Sequence, residues 1–174
     1  MKIEESITIQ CPPEDVFEFL AVRSNDALWM ASVVESDWLD PTTDPAAPIG
    51  VGRRGRMVMK FPGRRAVFID EVTEYEPGRR IEHRTVEGPI PLRTACICAP
   101  AGDACRTTVV AEADRLPGGV FGRLAAPVVT SVIRRGFKVD LARLKNIFEA
   151  EARPTSDESA DSGDASQRLH DRPR

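Results

Sequence analysis

The clearest hydrophobic pattern in this sequence lies in residues 120–150. Apolar side chains recur there every three or four residues, which is the spacing of one face of an α-helix. This face consists of Ala126, Val129, Thr130, Ile133, Phe137, Leu141, Leu144 and Phe148. Pro127 and Gly136 interrupt the pattern, so we expect a bend or a short N-terminal piece before the main helix. The predicted helix needs a sheet to cover its apolar face.

The opposite side of the same helix is basic. It carries Arg134, Arg135, Lys138, Arg143 and Lys145. A charged face of this kind is usually solvated, but it also favours a surface for a macromolecular partner.

Most of the remaining sequence alternates between apolar and polar residues, as strands with one buried face do. The alternation predicts strands at 2–10, 33–39, 53–61, 65–75, 80–86, 92–99 and 105–114. Two short helices are expected after the first strand, because Pro-Pro-Glu-Asp at 12–15 suits a first helical turn and Ser-Asn-Asp at 24–26 suits a second cap. One strand, two short helices, about six strands and a long helix predict an α+β fold with an antiparallel sheet.

Length and charge exclude several classes of protein. The 174 residues suffice for one domain, at 1–150, and a polar tail at 151–174 that we expect to be disordered. A net charge of −3 argues against a nucleic-acid-binding protein. Because no apolar run could span a membrane and no signal-peptide pattern begins the chain, we expect a cytoplasmic protein without membrane insertion.

Several short segments resemble the polyketide cyclase/dehydrase and lipid-transport superfamily (SRPBCC, START-like), whose helix-grip fold is shared with birch-pollen-type allergens. These segments are Pro-Pro-Glu-Asp-Val-Phe at 12–17, Trp29, Glu-Val-Thr-Glu-Tyr-Glu-Pro at 71–77 followed by Arg80 and Ile81, and Asp-Leu-Ala-Arg-Leu-Lys at 140–145. The resemblance implies a curved antiparallel sheet wrapped around the long C-terminal helix. It also implies a cavity between them that holds a hydrophobic small molecule.

Strand alternation identifies the side chains that would line such a cavity. Small residues on the last two strands indicate room for a ligand, although Phe121, Phe137 and Phe148 of the helix would fill the same space if they pack inward. The predicted ligand-binding residues are Trp29, Met57, Met59, Phe61, Phe68, Thr85, Thr94, Cys96, Val109, Ala111, Val129, Ile133 and Phe137. We expect residues 40–52, residues 88–91 and the start of the long helix to edge the cavity mouth.

Asp70 and His83 are the candidate catalytic residues. Both have the parity of the inner face, and a turn at 76–79 would make them direct or diagonal neighbours. A carboxylate beside an imidazole can orient one tautomer for general-base catalysis, as a cyclisation or dehydration requires. Alternatively, a bulge turns Asp70 outward, or both residues anchor the polar end of a ligand. Tyr75 has outer parity and is expected to be structural.

The other reactive side chains predict no metal or cofactor. Cys96, Cys98 and Cys105 lack zinc-ligand spacing, and with Cys11 they are expected to be reduced thiols, although a bond between Cys98 and Cys105 is conceivable. No glycine pattern has phosphate-loop context. Trp29 and Trp38 could stack on an aromatic ligand or simply pack.

Three functions are therefore compatible with the sequence. Binding or transport of a hydrophobic small molecule leads, and a polyketide-type cyclase or dehydratase using Asp70 and His83 is the alternative enzyme. A protein-interaction module, similar to the ribosome-associated toxins of this superfamily, is the third. The sequence also leaves a homodimer open.

Overall fold

The computed structural model describes residues 1–39, 49–113 and 119–151, and the side chains at 119–126 and 151 lie outside the description. The elements in chain order are β1 Lys2–Ile9, α1 Pro13–Ala21, a 3₁₀ turn Arg23–Asn25, α2 Asp26–Trp29, β2 Val33–Trp38, β3 Arg54–Phe61, β4 Arg64–Glu76, β5 Arg80–Glu87, β6 Arg93–Ala101, β7 Ala104–Glu112 and α3 Gly119–Glu151. This is the predicted order, and each predicted strand and helix is present. Most of residues 40–52 and of the tail, together with the side chains of Phe121 and Ala126, lie outside the described residues.

The strands form one antiparallel sheet in the order β1-β7-β6-β5-β4-β3-β2. Five of the six strand pairs join neighbours in the sequence, and glycines with positive φ at Gly63, Gly78 and Gly102 turn three of these hairpins. The sixth pair joins β1 to β7, from Lys2 opposite Glu112 to Ile9 opposite Cys105. The curled sheet with α3 against β1 confirms the predicted helix-grip fold.

Helix α1 fills one end of the concave face. Pro13 occupies the first turn with Glu14 and Asp15, where a fixed φ and negative charge both suit the helix start. Phe17 and Leu20 are buried on its other side, and the helix contacts β6 and β7. The main hydrophobic core therefore lies under α1.

Helix α3 is buried in its C-terminal half and more open before that. Leu141 and Leu144 belong to the core, whereas Ile133 and Phe137 are only half-buried. The helix is continuous through Pro127, so the expected separate N-terminal piece does not form. Its predicted apolar face is correct along residues 129–148, but only the last part of that face is sealed.

The basic side of α3 is largely exposed, as predicted, but part of it is paired with β1. Arg134 Nε lies 3.1 Å and Lys138 Nζ 3.8 Å from the carboxylate of Glu5, the polar residue on the inner side of β1. Lys145 Nζ donates a hydrogen bond to the Thr8 carbonyl oxygen at 2.9 Å. These contacts attach α3 to the edge strand and reduce the basic surface on which an interaction module would depend.

Tyr75 faces the core, contrary to the prediction from parity. A register shift between Val72 and Glu74 moves Tyr75 opposite Ile81, which is an inner residue of β5. The Tyr75 ring lies 5.8 Å from the Phe17 ring, centroid to centroid. Simple alternation fails here because the bulge adds one residue to β4.

Two other observations concern the whole described chain. Cys11, Cys96, Cys98 and Cys105 are all free thiols, as expected. Within the described residues, no helix combines the length and the hydrophobicity needed to cross a membrane.

The packing of α3 predicts that shortening a side chain to alanine destabilises the protein according to how deeply that side chain is buried. Leu144→Ala should lower the free energy of unfolding by about 2–5 kcal/mol, because the side chain is fully buried at 0% exposure and a cavity would remain. Val132→Ala, at a residue that is 67% exposed on the same helix, should change stability by less than about 0.5 kcal/mol. Urea denaturation measures both values, and equal losses would contradict this account of the core.

Candidate functional site

The inner face of the sheet brings together most of the predicted lining residues. Met57 lies opposite Phe68 on β3 and β4, and Thr94 lies opposite Ala111 on β6 and β7. Thr85, Cys96 and Val109 continue the same face through their own pairings. These predicted lining residues therefore share one face of the sheet, and their role in ligand binding stays a prediction.

These residues divide into a sealed part and an open part. Trp29, Phe68, Val109 and Ala111 are buried. The half-buried group consists of Met57, Met59, Phe61, Thr85, Thr94, Cys96, Val129, Ile133 and Phe137. The half-buried group keeps part of its surface accessible to water.

Cys96 lies on the inner face of β6, between Ile81 of β5 and Val109 of β7. Its side chain keeps some contact with water, yet burial and the nearby charge of Asp26 raise the pKa of its thiol to about 12. The thiol itself is not a nucleophile at neutral pH.

A polar helical face lies against the sheet beside these residues, and the sequence analysis missed it. Arg23, Asp26 and Trp29 follow each other at intervals of three residues through the 3₁₀ turn and α2, and their exposures are only 5%, 9% and 3%. Residues at this spacing share one side of a helical segment. The three-residue spacing can be seen in the sequence. However, Arg23 and Asp26 flank a segment that resembles a helix N-cap, where charged side chains are usually exposed to solvent.

Arg23 forms a buried ion pair with Asp70. Its Nη1 and Nη2 each lie 2.8 Å from one Asp70 carboxylate oxygen, which is the bidentate geometry that guanidinium and carboxylate groups favour. Gly55 is required beside this pair, because a Cβ atom there would overlap the Arg23 guanidinium. Arg23 also lies 5.0 Å over the ring of Trp38, and Arg53 lies 4.4 Å from the same ring.

His83 lies beside Asp70, as predicted. Val72 is the strand partner of His83 and Thr85 that of Asp70, so the two residues are diagonal neighbours on the inner face. His83 Nδ1 is 3.3 Å from Asp70 Oδ1, without the alignment of a hydrogen bond. A register shift occurs between Ile69 and Asp70, yet it does not turn Asp70 outward. Their catalytic role remains a prediction.

The two carboxyl groups of the site have opposite pKa shifts. Burial alone would raise the pKa of Asp70, but its close contacts with His83 and Arg23 and their positive charge outweigh burial and hold the pKa below 3.8. Burial raises the pKa of Asp26 above 3.8 despite the Ser36 hydroxyl, which donates a 2.6 Å hydrogen bond to Asp26 Oδ2. Asp70 is therefore an ion-pair carboxylate, and Asp26 is the carboxyl group better able to hold a proton.

The site contains buried donors without acceptors. Arg23 Nε and Trp29 Nε1 have no hydrogen-bond partner among the described residues. Buried polar groups normally have one, so their presence here is consistent with an acceptor supplied by a ligand or by water. Within the same residues, no group of three or more potential ligands could hold a metal ion.

Asp70→Asn should destabilise the protein strongly at neutral pH. It removes the charge that compensates buried Arg23, so we expect a loss of about 3–5 kcal/mol in the free energy of unfolding. Because the folded-state pKa of Asp70 is lowered, the wild type should lose this stabilisation as the pH falls below 3.8, and the difference from the variant should shrink. Denaturation at pH 7 and pH 3 tests this, with exposed Glu76→Gln as a control that should change little. A constant difference at both pH values would contradict the ion pair.

Solved structures show the same fold at low sequence identity. A Thermus thermophilus protein is 18% identical, with a TM-score of 0.72 over 88% of this chain and 100% of that chain. The Zhui aromatase/cyclase from a Streptomyces species is 17% identical, with a TM-score of 0.70 over 90% and 98%. A START superfamily protein from Mycobacterium smegmatis is 14% identical, with a TM-score of 0.68 over 86% and 98%.

Sequence comparison identifies the family. No curated protein shows significant sequence similarity to this chain. A family model described as polyketide cyclase / dehydrase and lipid transport matches residues 1–149, which include every described strand and nearly all of α3. The chain therefore belongs to the polyketide cyclase/dehydrase and lipid-transport family.

Proposed function

We propose that this protein binds or transports a hydrophobic small molecule in the recess between the inner face of the sheet and the N-terminal half of α3. The observation that supports this most directly is the half-burial of Met57 and Met59 on β3 and of Ile133 and Phe137 on the apolar face of α3. Apolar surface held open inside a fold favours a ligand that removes it from water, at about 25 cal/mol per Å². Membership of a family that includes lipid transport supports the same function.

The recess also has a polar end, which suits an amphipathic ligand. Asp26, His83 and Asp70 lie at one side of an otherwise apolar and small-residue surface. Ligand sites commonly combine a broad apolar lining with a few polar groups that fix orientation. A lipid or a polyketide-like aromatic compound with an oxygen at one end fits this arrangement.

Filling the recess should abolish binding. Thr94 is half-buried on the inner face between His83 and Ala111, so Thr94→Phe should occupy the ligand space. We expect the affinity for a fluorescent fatty acid or an aromatic hydrocarbon to fall about tenfold or more, which corresponds to about 1.4 kcal/mol.

The neighbouring Arg93→Phe provides the matched control, because Arg93 is exposed on the outer face of the same strand. Its affinity should equal that of the wild type. Failure of the wild-type protein to bind any hydrophobic probe, or an equal loss in both variants, would contradict the proposed site.

A cyclase or dehydratase is the second candidate, and His83 is the observation that favours it. With Nδ1 facing Asp70, the other ring nitrogen, Nε2, has no hydrogen-bond partner among the described residues. Nε2 would take a proton from a carbon between two carbonyl groups, and the carbanion would add to a ketone carbon of the same chain. The resulting alkoxide would take up a proton, after which water can be lost. Asp70 would stabilise the imidazolium by its charge without accepting the proton, since Arg23 binds both its oxygens.

His83→Gln separates the enzyme from the carrier. If the protein is a cyclase, the rate of cyclisation of a poly-β-keto thioester should fall by about 10²–10⁴-fold, while hydrophobic probe affinity is retained. Absorbance of the aromatic product measures the rate. Asp70→Asn is a poorer test, because it also breaks the buried ion pair. An unchanged rate in His83→Gln, or no cyclisation by the wild type, would exclude His83 as the base.

A further inference from the structure

Asp26 is the carboxyl group in the recess with an oxygen that no described residue binds. Ser36 donates to Oδ2 at 2.6 Å, and Oδ1 accepts no hydrogen bond from any described residue. The residue is nevertheless only 9% exposed. Asp70, by contrast, has both oxygens bound by Arg23. Of the two buried carboxyl groups at this end of the recess, Asp26 is therefore the one that can bind a ligand.

The surroundings of Asp26 place it against the inner face of the sheet. Ser36, its partner, lies opposite Met57 in the strand register. The negative charge of Asp26 helps to raise the pKa of the Cys96 thiol. Arg23 and His83 are close enough to act in the other direction on the pKa of Asp26. The carboxyl group is thus close to residues of β2, β5 and β6 that line the recess.

A second observation also indicates a missing polar partner. Trp29 follows Asp26 by three residues on the same buried side of α2, and its indole N–H has no acceptor among the described residues. A buried indole N–H usually finds an acceptor. A hydroxyl group can donate one hydrogen bond and accept others, which matches a free carboxyl oxygen beside an unpaired N–H donor.

We propose that Asp26 is a specificity-determining residue whose Oδ1 accepts a hydrogen bond from a hydroxyl group of the hydrophobic ligand. This rests on the proposed binding function and narrows its ligand to hydrophobic compounds with an alcohol or phenol at one end. The preference arises on binding, because a ligand that shields Oδ1 from water without donating a hydrogen bond leaves a carboxyl oxygen unsatisfied. Burial raises the pKa of Asp26, and the nearby hydrogen-bond donor and positive charges do not fully offset this effect in the free protein.

The test compares two probes of nearly equal shape, 1-naphthol and 1-methylnaphthalene. Calorimetry gives the ratio of their affinities for the wild type and for Asp26→Ala. We expect the ratio to shift about tenfold against 1-naphthol in the variant, as the loss of one hydrogen bond to a charged or polar acceptor predicts. Asp26→Asn retains an acceptor oxygen and should restore most of the preference. Glu5→Gln is the matched control, because that inward carboxylate is already held by Arg134 and Lys138 and its loss should not move the ratio.

A measurement on the wild type covers the case in which Asp26→Ala does not fold. The side-chain carboxyl carbon-13 resonance of Asp26 should shift on addition of 1-naphthol and much less with 1-methylnaphthalene. If the wild type binds both probes and neither the affinity ratio nor the resonance distinguishes them, the role of Asp26 is overturned and the hydrophobic site stands. If the wild type binds neither probe, the proposed binding function is overturned, and the role of Asp26 with it.

Discussion

The packing of α1 and α3 against the concave face of the seven-stranded sheet is the constraint on which the rest of the described structure depends. Helix α1 and the C-terminal half of α3 seal one end, where Phe17, Leu141 and Leu144 are almost fully buried. Toward the other end, α3 continues past β1 with only half-buried contacts at Ile133 and Phe137. The proposed binding site lies at this less tightly packed end, where apolar surface remains accessible to water.

The polar side of the recess is built at an energetic cost. A buried Arg23–Asp70 pair gains little over an apolar replacement, since desolvation of both charges offsets most of their attraction. The pair does hold the 3₁₀ turn and α2 against β4, and it keeps Asp70 ionised beside His83. Asp26 lies about one helical turn after Arg23. The pKa of its carboxyl group is raised, whereas that of Asp70 is lowered. One short helical segment thus supplies both a fixed charge and a group that can exchange a proton.

The main errors of sequence analysis have identifiable physical causes. Strict alternation places Tyr75 on the outer face, because it does not include the extra residue that a bulge adds to β4. Glu5 is a polar residue on the inner side of β1, and its partners Arg134 and Lys138 lie about 130 residues away in the sequence. They become neighbours only when α3 covers the edge strand. Arg23 and Asp26 have no apolar periodicity around them, and their partners Asp70 and Ser36 are on strands.

The sequence by itself determined the elements, their order and the inner face of most strands, because hydrophobic periodicity is a local property that burial imposes on each segment. It also predicted that Asp70 and His83 are neighbours, since one hairpin connects their strands. Only the tertiary structure decided which part of the concave face is sealed, which carboxyl group is neutralised by Arg23 and which retains a free oxygen. Those outcomes depend on contacts between segments distant in the chain, where electrostatic pairing and volume, rather than local pattern, select the arrangement.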